Sequence, residues 1–386
     1  MLALAASVLL VACSTSTPSP SSAPSGSASA GPSASPTGSA SSTPVEPTPT
    51  PPGGVYSATV SGEIDPSLTG IPERVYVPNE MSGDVTVIDP ATFKVLDQFA
   101  TGAYPEHITP DWDLQRLLVS NMNGGTLTVL DPATSRAIDT ISLPTFPYAV
   151  YFTLDGEKAM VVTDYISPAL IKDNGIHFYD RKTWELLTFV EIPWPGADDL
   201  DLSADGSYLM ISAEYSGIVA RVDTRTMKLA GSVEVGSLPR DVRLGPDGRT
   251  FWVANEGLDG VQAVDPQTMA VTTFIATGDG AHGLEFSRDT LQMFVANRAA
   301  GTISVIDLAS LSVVATWHVG GSPDELVLSP DGSQLWVSNR YHRSVSVIDT
   351  SSGEVLATIP VGAAPHGLTY WPQPGHLAVG QNGNMR

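Results

Sequence analysis

Short runs of apolar residues alternate with turn-forming residues along most of this chain, and their order repeats. The clearest copy covers residues 334–361. Its first run, LWVSN, ends at Asn339, and its second, SVSVID, alternates polar and apolar residues up to Asp349. Its third run, EVLATIPV, follows a Ser-Ser-Gly turn. Each run has the length of one strand, so the pattern predicts three consecutive β-strands.

The same three runs occur seven times. The aspartate that ends the middle run recurs after 42, 49, 43, 42, 42 and 42 residues, at Asp89, Asp131, Asp180, Asp223, Asp265, Asp307 and Asp349. A fourth alternating run, which ends in an Asp-Gly turn, lies between units, as in ELVLSPDG at residues 325–332. A near-constant period of this length with four strands per unit predicts an all-β fold, a seven-bladed β-propeller.

The two ends of this repeat array are complementary. The first unit, which starts near Arg74, lacks a preceding inner strand, whereas the last inner strand, HGLTYW at residues 366–371, has no unit after it. Pairing the two closes the ring and leaves no free sheet edge. Residues 55–60 (VYSATV) and 376–386 (HLAVGQNGNMR) are unassigned. We expect them to pair with each other or to cover an end, and whether residues 383–386 plug the channel is left open.

Two kinds of repeated polar residue have a structural interpretation. The seven aspartates precede turns such as Asp-Pro-Ala-Thr at residues 89–92, where a carboxylate accepts hydrogen bonds from backbone N–H groups. We therefore interpret them as turn residues, not as catalytic acids. We also interpret as backbone caps the asparagines that end the first run, Asn79, Asn121, Asn255, Asn297 and Asn339, because Asn suits turn and left-handed positions.

The chain divides into three segments. Residues 1–13 are predicted to be a lipoprotein signal peptide: residues 2–12 are apolar but too short to span a bilayer, and Leu10-Val11-Ala12-Cys13 resembles the lipobox of bacterial lipoproteins. That resemblance implies a lipid on Cys13 that anchors the protein at the outer face of the cytoplasmic membrane. The alternative is an ordinary secretory signal with an incidental cysteine. Residues 14–54, rich in Ser, Thr, Pro, Ala and Gly, are predicted to be a disordered tether, and residues 55–386 to be the propeller.

Charge and cysteine content narrow the choice of function. The chain has 19 Lys and Arg against 41 Asp and Glu, a net charge of −22. A surface of this sign repels phosphate, so we expect no nucleic-acid partner. Cys13 is the only cysteine, which excludes an intramolecular disulfide. We find no Gly-x-Ser-x-Gly elbow and no phosphate-binding glycine loop in the sequence, and we predict no catalytic residue.

The repeat itself resembles a known family. The copies RVYVPN with VTVIDPAT, QMFVANRAAGTISVID, and QLWVSN with VSVID are similar to the YVTN-type β-propeller repeat over residues 74–371. The wider relatives include the propeller domains of nitrous oxide reductase and haem d1 enzymes, propeller lactonases and surface-layer proteins. Together with the lipobox and the tether, the resemblance implies an actinobacterial cell-surface lipoprotein of this family.

Alignment of the repeats predicts a polar site at one end of the channel. In a propeller, the loop entering each inner strand and the loop after each first run emerge on the same face, and ligands usually bind there. One aligned position is mostly polar and forms the predicted ligand-binding ring of Glu106, Tyr148, Asp198, Arg240, His282, Asp324 and His366. The next position contains His107, Asp199, Asp241 and Glu325, and the one after that is apolar in all seven repeats. Residues beside the asparagines are further candidates for recognition: Glu80, Asp164, Glu214, Glu256, Arg298 and Arg340.

Three histidines at this predicted mouth raise the question of a metal. His107, His282 and His366, with the nearby carboxylates, have the donor atoms of a divalent metal site. The alternative is that each histidine only bonds a neighbouring blade, and we predict no other cofactor. The third repeat carries an insertion at residues 165–172 (YISPALIK), which is either a lid or partner-binding loop or a neutral extension.

Three functions remain open. The leading hypothesis is a monomeric, membrane-anchored, extracytoplasmic scaffold that binds a cell-envelope protein, peptide or glycan. The rival is a metal-dependent enzyme, a lactonase-like hydrolase or a redox component, that uses the three histidines at the channel mouth. The third is a surface-layer building block that self-associates.

Overall fold

The computed structural model describes residues 54–60, 62–164 and 173–386. The predicted signal peptide with Cys13, nearly all of the predicted tether and the insertion at residues 165–172 lie outside the described residues. Seven four-stranded antiparallel sheets form the blades, and in six of them the four strands are consecutive in the chain. The prediction of a seven-bladed, all-β propeller is confirmed.

We number the blades in chain order and give the strands of each from the channel outwards. They are Thr369–Trp371, Arg74–Asn79, Asp84–Asp89 and Lys94–Ala100 in blade 1; Pro105–Pro110, Leu117–Asn121, Thr126–Asp131 and Arg136–Ser142 in blade 2; Ala149–Phe152, Lys158–Thr163, Gly175–Asp180 and Leu186–Glu191 in blade 3; Ala197–Leu202, Tyr208–Ala213, Ile218–Asp223 and Lys228–Glu234 in blade 4; Pro239–Leu244, Phe251–Asn255, Gly260–Asp265 and Ala270–Ala276 in blade 5; Ala281–Phe286, Gln292–Asn297, Thr302–Asp307 and Ser312–His318 in blade 6; and Pro323–Leu328, Gln334–Asn339, Ser344–Asp349 and Val355–Pro360 in blade 7.

The ring closes as the sequence predicts. Thr369–Trp371 pairs antiparallel with the start of Arg74–Asn79, with Arg74 opposite Trp371 and Tyr76 opposite Thr369. Blade 1 therefore receives its inner strand from residues that follow blade 7. This strand is shorter than the predicted residues 366–371. The residues before it still pair with Arg74–Asn79, because Pro365 forms an antiparallel bridge with Asn79 and His366 donates its backbone N–H to the Pro78 carbonyl.

The inner strands carry an irregularity that positions the site. In blades 2, 4, 5, 6 and 7 the pairing register shifts between the first and fourth residues of the inner strand, as between Pro323 and Leu326 in blade 7. In such a bulge the side chains of the two intervening residues no longer alternate between the two faces of the sheet. In blades 2, 4 and 7 a serine of the second strand accepts the freed backbone N–H, as Ser338 accepts from Glu325 at 3.1 Å.

The hydrophobic core lies between neighbouring blades. The second and third strands are almost wholly buried, whereas the outermost strands alternate exposed and half-buried residues. Trp336 of blade 7 is fully buried, and its ring lies 5.9 Å from Phe93 and 6.1 Å from Tyr370 of blade 1. Aromatic packing between blades 7 and 1 thus stabilises the closing seam, by which we mean the junction where the chain closes the ring. The inner strand of blade 1 at this seam, Thr369–Trp371, has only three residues.

The repeated aspartates lie in the turns, as interpreted from the sequence. The side chain of Asp89 accepts from the backbone N–H of Ala91 at 3.1 Å, and that of Asp131 accepts from Ala133 at 2.9 Å. Hydrogen bonds from the following turn residues also lower the pKa of the carboxyls listed here: Asp180, Asp223, Asp265, Asp307 and Asp349. These half-buried aspartates stabilise the turns between the third and the outer strands.

The asparagines have a structural role, but not the predicted backbone conformation. Asn121 and Asn255 have negative φ, and the left-handed residue follows four positions later, at Gly125 and Asp259. The asparagine side chain instead bridges strands. In blade 6, Nδ2 of Asn297 donates to two hydroxyls of the third strand, and Oδ1 accepts from a loop N–H.

The two unassigned segments do not pair with each other. Residues 54–60 form a short helical segment, Gly54–Tyr56 and Ser57–Val60, in which the Tyr56 hydroxyl donates to the Leu244 carbonyl at the end opposite the mouth. Residues 378–386, which we call the channel segment, are all buried. They form a small hairpin of Ala378–Gly380 and Asn384–Met385 around the turn Gln381–Gly383. The channel segment therefore fills the channel.

The other short helical turns of the described residues are Pro66–Leu68, Met122–Gly124, Glu214–Ser216 and Glu256–Leu258. Among the described residues, no helix has the length and apolar character needed to cross a membrane.

The bridging role of the asparagines gives a stability prediction. Asn297→Ala is expected to lower the apparent Tm by several degrees. The substitution removes the amide group that forms 3.0 Å hydrogen bonds with the buried Thr302 and Ser304 hydroxyls and with the Gly278 N–H. Each group left without a hydrogen bond costs about 1–3 kcal/mol of folding stability. Thermal unfolding followed by circular dichroism measures the change. Asn123→Ala, at an exposed position, is the control, and a similar loss in both variants would contradict the bridging role.

Candidate functional site at the channel mouth

A cavity of about 580 Å³ opens at the mouth of the channel. It is lined by Tyr104, Glu106, Met122, Asn123, Phe146, Tyr148, Asp164, Asp198, Glu214, Tyr215, Arg240, His282, Arg298, Arg340, Tyr341 and His366. Most of these residues come from the two aligned loop positions of the repeats. The cavity therefore lies on the face where the sequence places the site.

The structure brings the predicted ring together. Six of its seven residues line the cavity, namely Glu106, Tyr148, Asp198, Arg240, His282 and His366. The seventh, Asp324, is completely buried and contacts the side chains of Arg298 and His366. In blades 2, 4, 5, 6 and 7 the ring residue occupies the bulged part of the inner strand, which explains why it faces the mouth.

The residues after the second strands form an outer ring around the first. Asp164, Glu214, Arg298 and Arg340 line the cavity, together with Met122 of blade 2. The two remaining members pair with arginines of the mouth: Glu80 with Arg340 and Glu256 with Arg240. All six recognition candidates taken from the sequence thus lie at this mouth.

A chain of alternating charges runs along one side of the mouth. Arg340 joins Glu80 at 2.7 Å and Asp324 at 3.5 Å. Asp324 in turn contacts Arg298, which lies 3.6 Å from Glu256.

The same chain continues into blade 4. Arg240 donates to Glu256 at 2.6 Å and pairs with the buried Glu214. Burial opposes the ionisation of Asp324, but the Arg298 guanidinium, with His282 and His366, holds the pKa of that carboxyl well below its ordinary value. This side of the mouth is charged and internally paired.

The other side of the mouth carries carboxyls that pair with no arginine in the part of the chain that the structure describes. Burial, reinforced by the Glu80 carboxylate, raises the pKa of Glu106 well above its ordinary value. Burial also raises the pKa of Asp198, and burial together with the charge of Asp198 raises the pKa of Asp164 to about 8. Three carboxyls are therefore held ready to accept a positive group from outside.

The three predicted histidine ligands occupy different environments. His366 lies between the others, with its ring centre 4.6 Å from that of His107 and 6.0 Å from that of His282. His107 is not in the cavity wall but one layer below, where Nδ1 lies 3.2 Å from Oδ1 of Asn382. Nδ1 of His282 lies 3.1 Å from Oε1 of Glu325. Burial lowers the pKa of His107 and His282 well below the ordinary value, so both rings are neutral.

These histidines do not form one coordination shell. Among the described residues, one set of three has donor atoms all within 4.8 Å of one another, and it consists of Glu80, Glu106 and His366. Only His366 belongs to both this set and the set predicted from the sequence.

The channel segment lies below the cavity, where it contacts the layer of polar residues beneath the ring. Nδ2 of Asn382 donates to Glu325 at 2.7 Å, and the Gln381 side chain contacts Asp199. Gly380 allows this close fit, because a Cβ there would lie 2.2 Å from a ring carbon of Tyr151. The mouth is therefore a cavity that opens outwards and is blocked below by the channel segment, not an entrance to an open channel. The one sequence signal for this contact is the amide-rich QNGN that ends an apolar run.

Aromatic side chains at the rim were not identified from the sequence. Tyr341, Tyr215 and Phe146 are 69%, 48% and 43% exposed and line the cavity. The Arg298 guanidinium lies 5.9 Å from the centre of the Tyr341 ring. The site thus combines an acidic interior with an exposed aromatic rim.

These observations define a seven-bladed propeller with a predominantly acidic mouth that the channel segment blocks from below. A family model described as the YNCE-like beta-propeller matches residues 67–373, and the chain belongs to that family.

Solved structures with low sequence identity share the fold. Kuenenia stuttgartiensis hydrazine synthase is 20% identical, with a TM-score of 0.62 over 72% of this chain and 92% of that one. A functionally unknown protein from Desulfotomaculum acetoxidans is 19% identical, with a TM-score of 0.66 over 77% and 98%. The dihydro-haem d1 dehydrogenase NirN is 16% identical, with a TM-score of 0.58 over 79% and 76%. No curated protein sequence matches the chain significantly.

Asp164 gives a pH-dependent prediction. Its pKa of about 8 in the folded protein lies above the ordinary value of 3.8, so the folded state loses stability as pH rises between these two values. Asp164→Asn removes this loss. We expect it to stabilise the protein by on the order of 2 kcal/mol at pH 9 and by progressively less towards pH 5.

Thermal unfolding of both proteins between pH 5 and pH 9 measures this difference. The exposed Glu185→Gln also removes one carboxylate, and its effect should not grow with pH. A stability difference for Asp164→Asn that stays constant over this range would contradict the assignment.

Proposed function

We propose that this protein is a binding module of the cell envelope whose channel mouth takes a positively charged side chain of a protein or peptide partner. The observation that carries this proposal is the excess of buried carboxyls around a cavity that is blocked below. Three arginines, Arg240, Arg298 and Arg340, stand against seven acidic residues, Glu80, Glu106, Asp164, Asp198, Glu214, Glu256 and Asp324.

The carboxyls that pair with no arginine among the described residues favour a cationic ligand. A buried carboxylate without a partner is unfavourable, and a lysine ammonium or an arginine guanidinium supplies the missing charge and hydrogen bonds. Glu106, Asp164 and Asp198 all face the cavity, so one incoming cation reaches several of them. Long-range attraction from a chain of net charge −22 also accelerates the approach of a basic partner.

The shape of the mouth favours a side chain over an extended strand. A volume of about 580 Å³ lies within the range of small-ligand pockets, and the channel segment closes it from below. The exposed Phe146, Tyr215 and Tyr341 at the rim are well suited to pack against the flanking residues of a peptide and against the cation itself.

The fold alone does not separate binding from catalysis. Structures with this fold include a hydrazine synthase and a dihydro-haem d1 dehydrogenase, and propellers support many chemistries. Binding is favoured here because, among the described residues, His107, His282 and His366 do not form one set of donor atoms close enough to share a metal ion, and His107 lies below the cavity wall.

Binding to the mouth can be tested with a short oligolysine peptide and isothermal titration calorimetry. We expect saturable binding, and no binding of an oligoglutamate peptide of equal length. Asp164→Asn/Asp198→Asn should weaken oligolysine binding at least about tenfold, because it removes two carboxyls that face the incoming cation.

The matched control removes the same charge from the opposite face. Glu185→Gln/Glu354→Gln lies in the exposed turns before the outer strands of blades 3 and 7 and should change the affinity little. Equal weakening in both double variants would mean that oligolysine binds by general attraction, and it would reject the mouth as the site.

We further propose that a lipid on Cys13 anchors the protein outside the cytoplasmic membrane. Cys13 lies outside the described residues, and the support is the lipobox-like Leu10-Val11-Ala12-Cys13 followed by the Ser/Thr/Pro tether. As a flexible coil, residues 14–54 would span roughly 35 Å, enough to hold the mouth clear of the membrane surface.

Metabolic labelling with a fatty acid tests the anchor. The protein should carry the label and fractionate with membranes, whereas Cys13→Ser should be unlabelled and soluble. Labelling that persists in Cys13→Ser would contradict the assignment, and secretion of an unlabelled wild type would favour an ordinary signal peptide.

A further inference from the structure

The closing seam of the propeller brings together a nitrogen and two carboxylate donors. Glu80 follows the second strand of blade 1, Glu106 lies in the inner strand of blade 2, and His366 precedes the inner strand of blade 1. Their donor atoms lie within 4.8 Å of one another, and the three residues are only 2%, 3% and 3% exposed. We propose that Glu80, Glu106 and His366 bind one divalent metal ion.

The orientation of His366 supports this assignment. Its Nδ1 lies 2.8 Å from Oδ2 of Asp324, and that carboxylate, contacted by Arg298, accepts the Nδ1 proton. The lone pair therefore resides on Nε2, which lies 3.6 Å from Oε2 of Glu106. Histidines that ligate metals commonly donate their other N–H to a carboxylate in this way, which fixes the ring for coordination.

Two atoms that can bind a cation face each other at this point. Nε2 of His366 and the carboxyl oxygen Oε2 of Glu106 lie 3.6 Å apart, a separation that a cation bound to both fits. The Tyr148 hydroxyl, 3.4 Å from Nε2, is a long and weak alternative partner.

Glu80 is held in position from its other side. Arg340 contacts both of its carboxylate oxygens, with Nη2 at 2.7 Å from Oε2. Each carboxylate oxygen has a second acceptor direction besides the one that Arg340 uses, and the side chains of Tyr104 and Glu106 also lie within hydrogen-bond reach of Glu80. The positive charge of the Arg340 guanidinium lowers the affinity of the site for any cation. A metal ion that binds the imidazole nitrogen strongly is therefore favoured. One imidazole and two carboxylates suit Zn²⁺ better than Ca²⁺.

The repeat supplies an internal comparison. His282 occupies the same aligned position in blade 6, but the residue that corresponds to Glu80 there is Arg298. Nδ1 of His282 faces Glu325 at 3.1 Å and Asp324 at 3.7 Å. A cationic side chain thus takes the place of one metal ligand, which makes His282 a matched control for His366.

The proposed metal would be accessible from the mouth. Glu106 and His366 line the cavity, so three protein ligands leave a coordination position towards it. Such an open site admits water or a ligand group, unlike a closed structural site. This proposal shares Glu106 with the proposed peptide site, but Asp164 and Asp198, which the peptide experiment changes, are not among the metal ligands, so either proposal can fail without the other.

Calorimetric titration of the untagged, EDTA-treated protein with ZnCl₂ tests the site. We expect one equivalent of zinc to bind, and Ca²⁺ to bind more weakly. Glu106→Gln keeps the side-chain size but weakens a metal bond, and His366→Gln removes the nitrogen. Each should lower the zinc affinity at least about tenfold, whereas His282→Gln should leave it within about twofold.

A thermal-shift measurement with the same variants shows whether a variant that fails to bind zinc is still folded. Zinc should raise the Tm of the wild type and of His282→Gln, and it should not raise that of a folded Glu106→Gln. The proposal is overturned if the wild type binds no zinc. It is also overturned if folded Glu106→Gln and His366→Gln bind zinc as well as the wild type does.

Discussion

The pairing of Thr369–Trp371 with Arg74–Asn79 is the constraint on which the remaining structure depends. Each blade packs its core against two neighbours, so an open ring would leave two exposed hydrophobic faces and two unpaired edges. Closure also creates the mouth, because it places Glu80 and His366, 286 positions apart in the sequence, beside each other. The fold and the candidate site are therefore consequences of one short strand pairing supported by the packing of Trp336.

A second constraint turns the closed ring into a site. The inner strands must bury apolar residues between the blades, yet at the mouth they bulge and direct polar side chains into the channel. The serines that accept the freed N–H groups, Ser120, Ser212 and Ser338, show how the cost of these bulges is offset within the blade. The repeated backbone is thus a frame on which six of the seven ring residues line one cavity, which is how a symmetric fold carries an asymmetric charge pattern.

The sequence predicts the blades and the ring because their signals are local. The 42-residue spacing, the turn aspartates and the abrupt change from polar to apolar residues all act within one repeat. The channel segment was not predicted, because Asn382 contacts His107 and Glu325 only through the closed ring, at separations of 275 and 57 residues. The set Glu80, Glu106 and His366 was missed for the same reason, since repeat alignment shows equivalence but not contact between blades.

The charge pattern at the mouth links stability to function. Where Arg240, Arg298 and Arg340 alternate with carboxylates, the folded protein satisfies its own buried charges, and that side gains little from an external partner. Asp164 and Asp198 form no ion pair with an arginine in the part of the chain that the structure describes, and there the folded state retains carboxyls whose ionisation burial disfavours. A cationic group that enters there relieves a cost already present in the folded protein. The side of the mouth without arginine pairs can thus contribute free energy to the binding of a cation. The arginine-paired side and the closed ring keep the protein folded despite the electrostatic cost of these carboxyls.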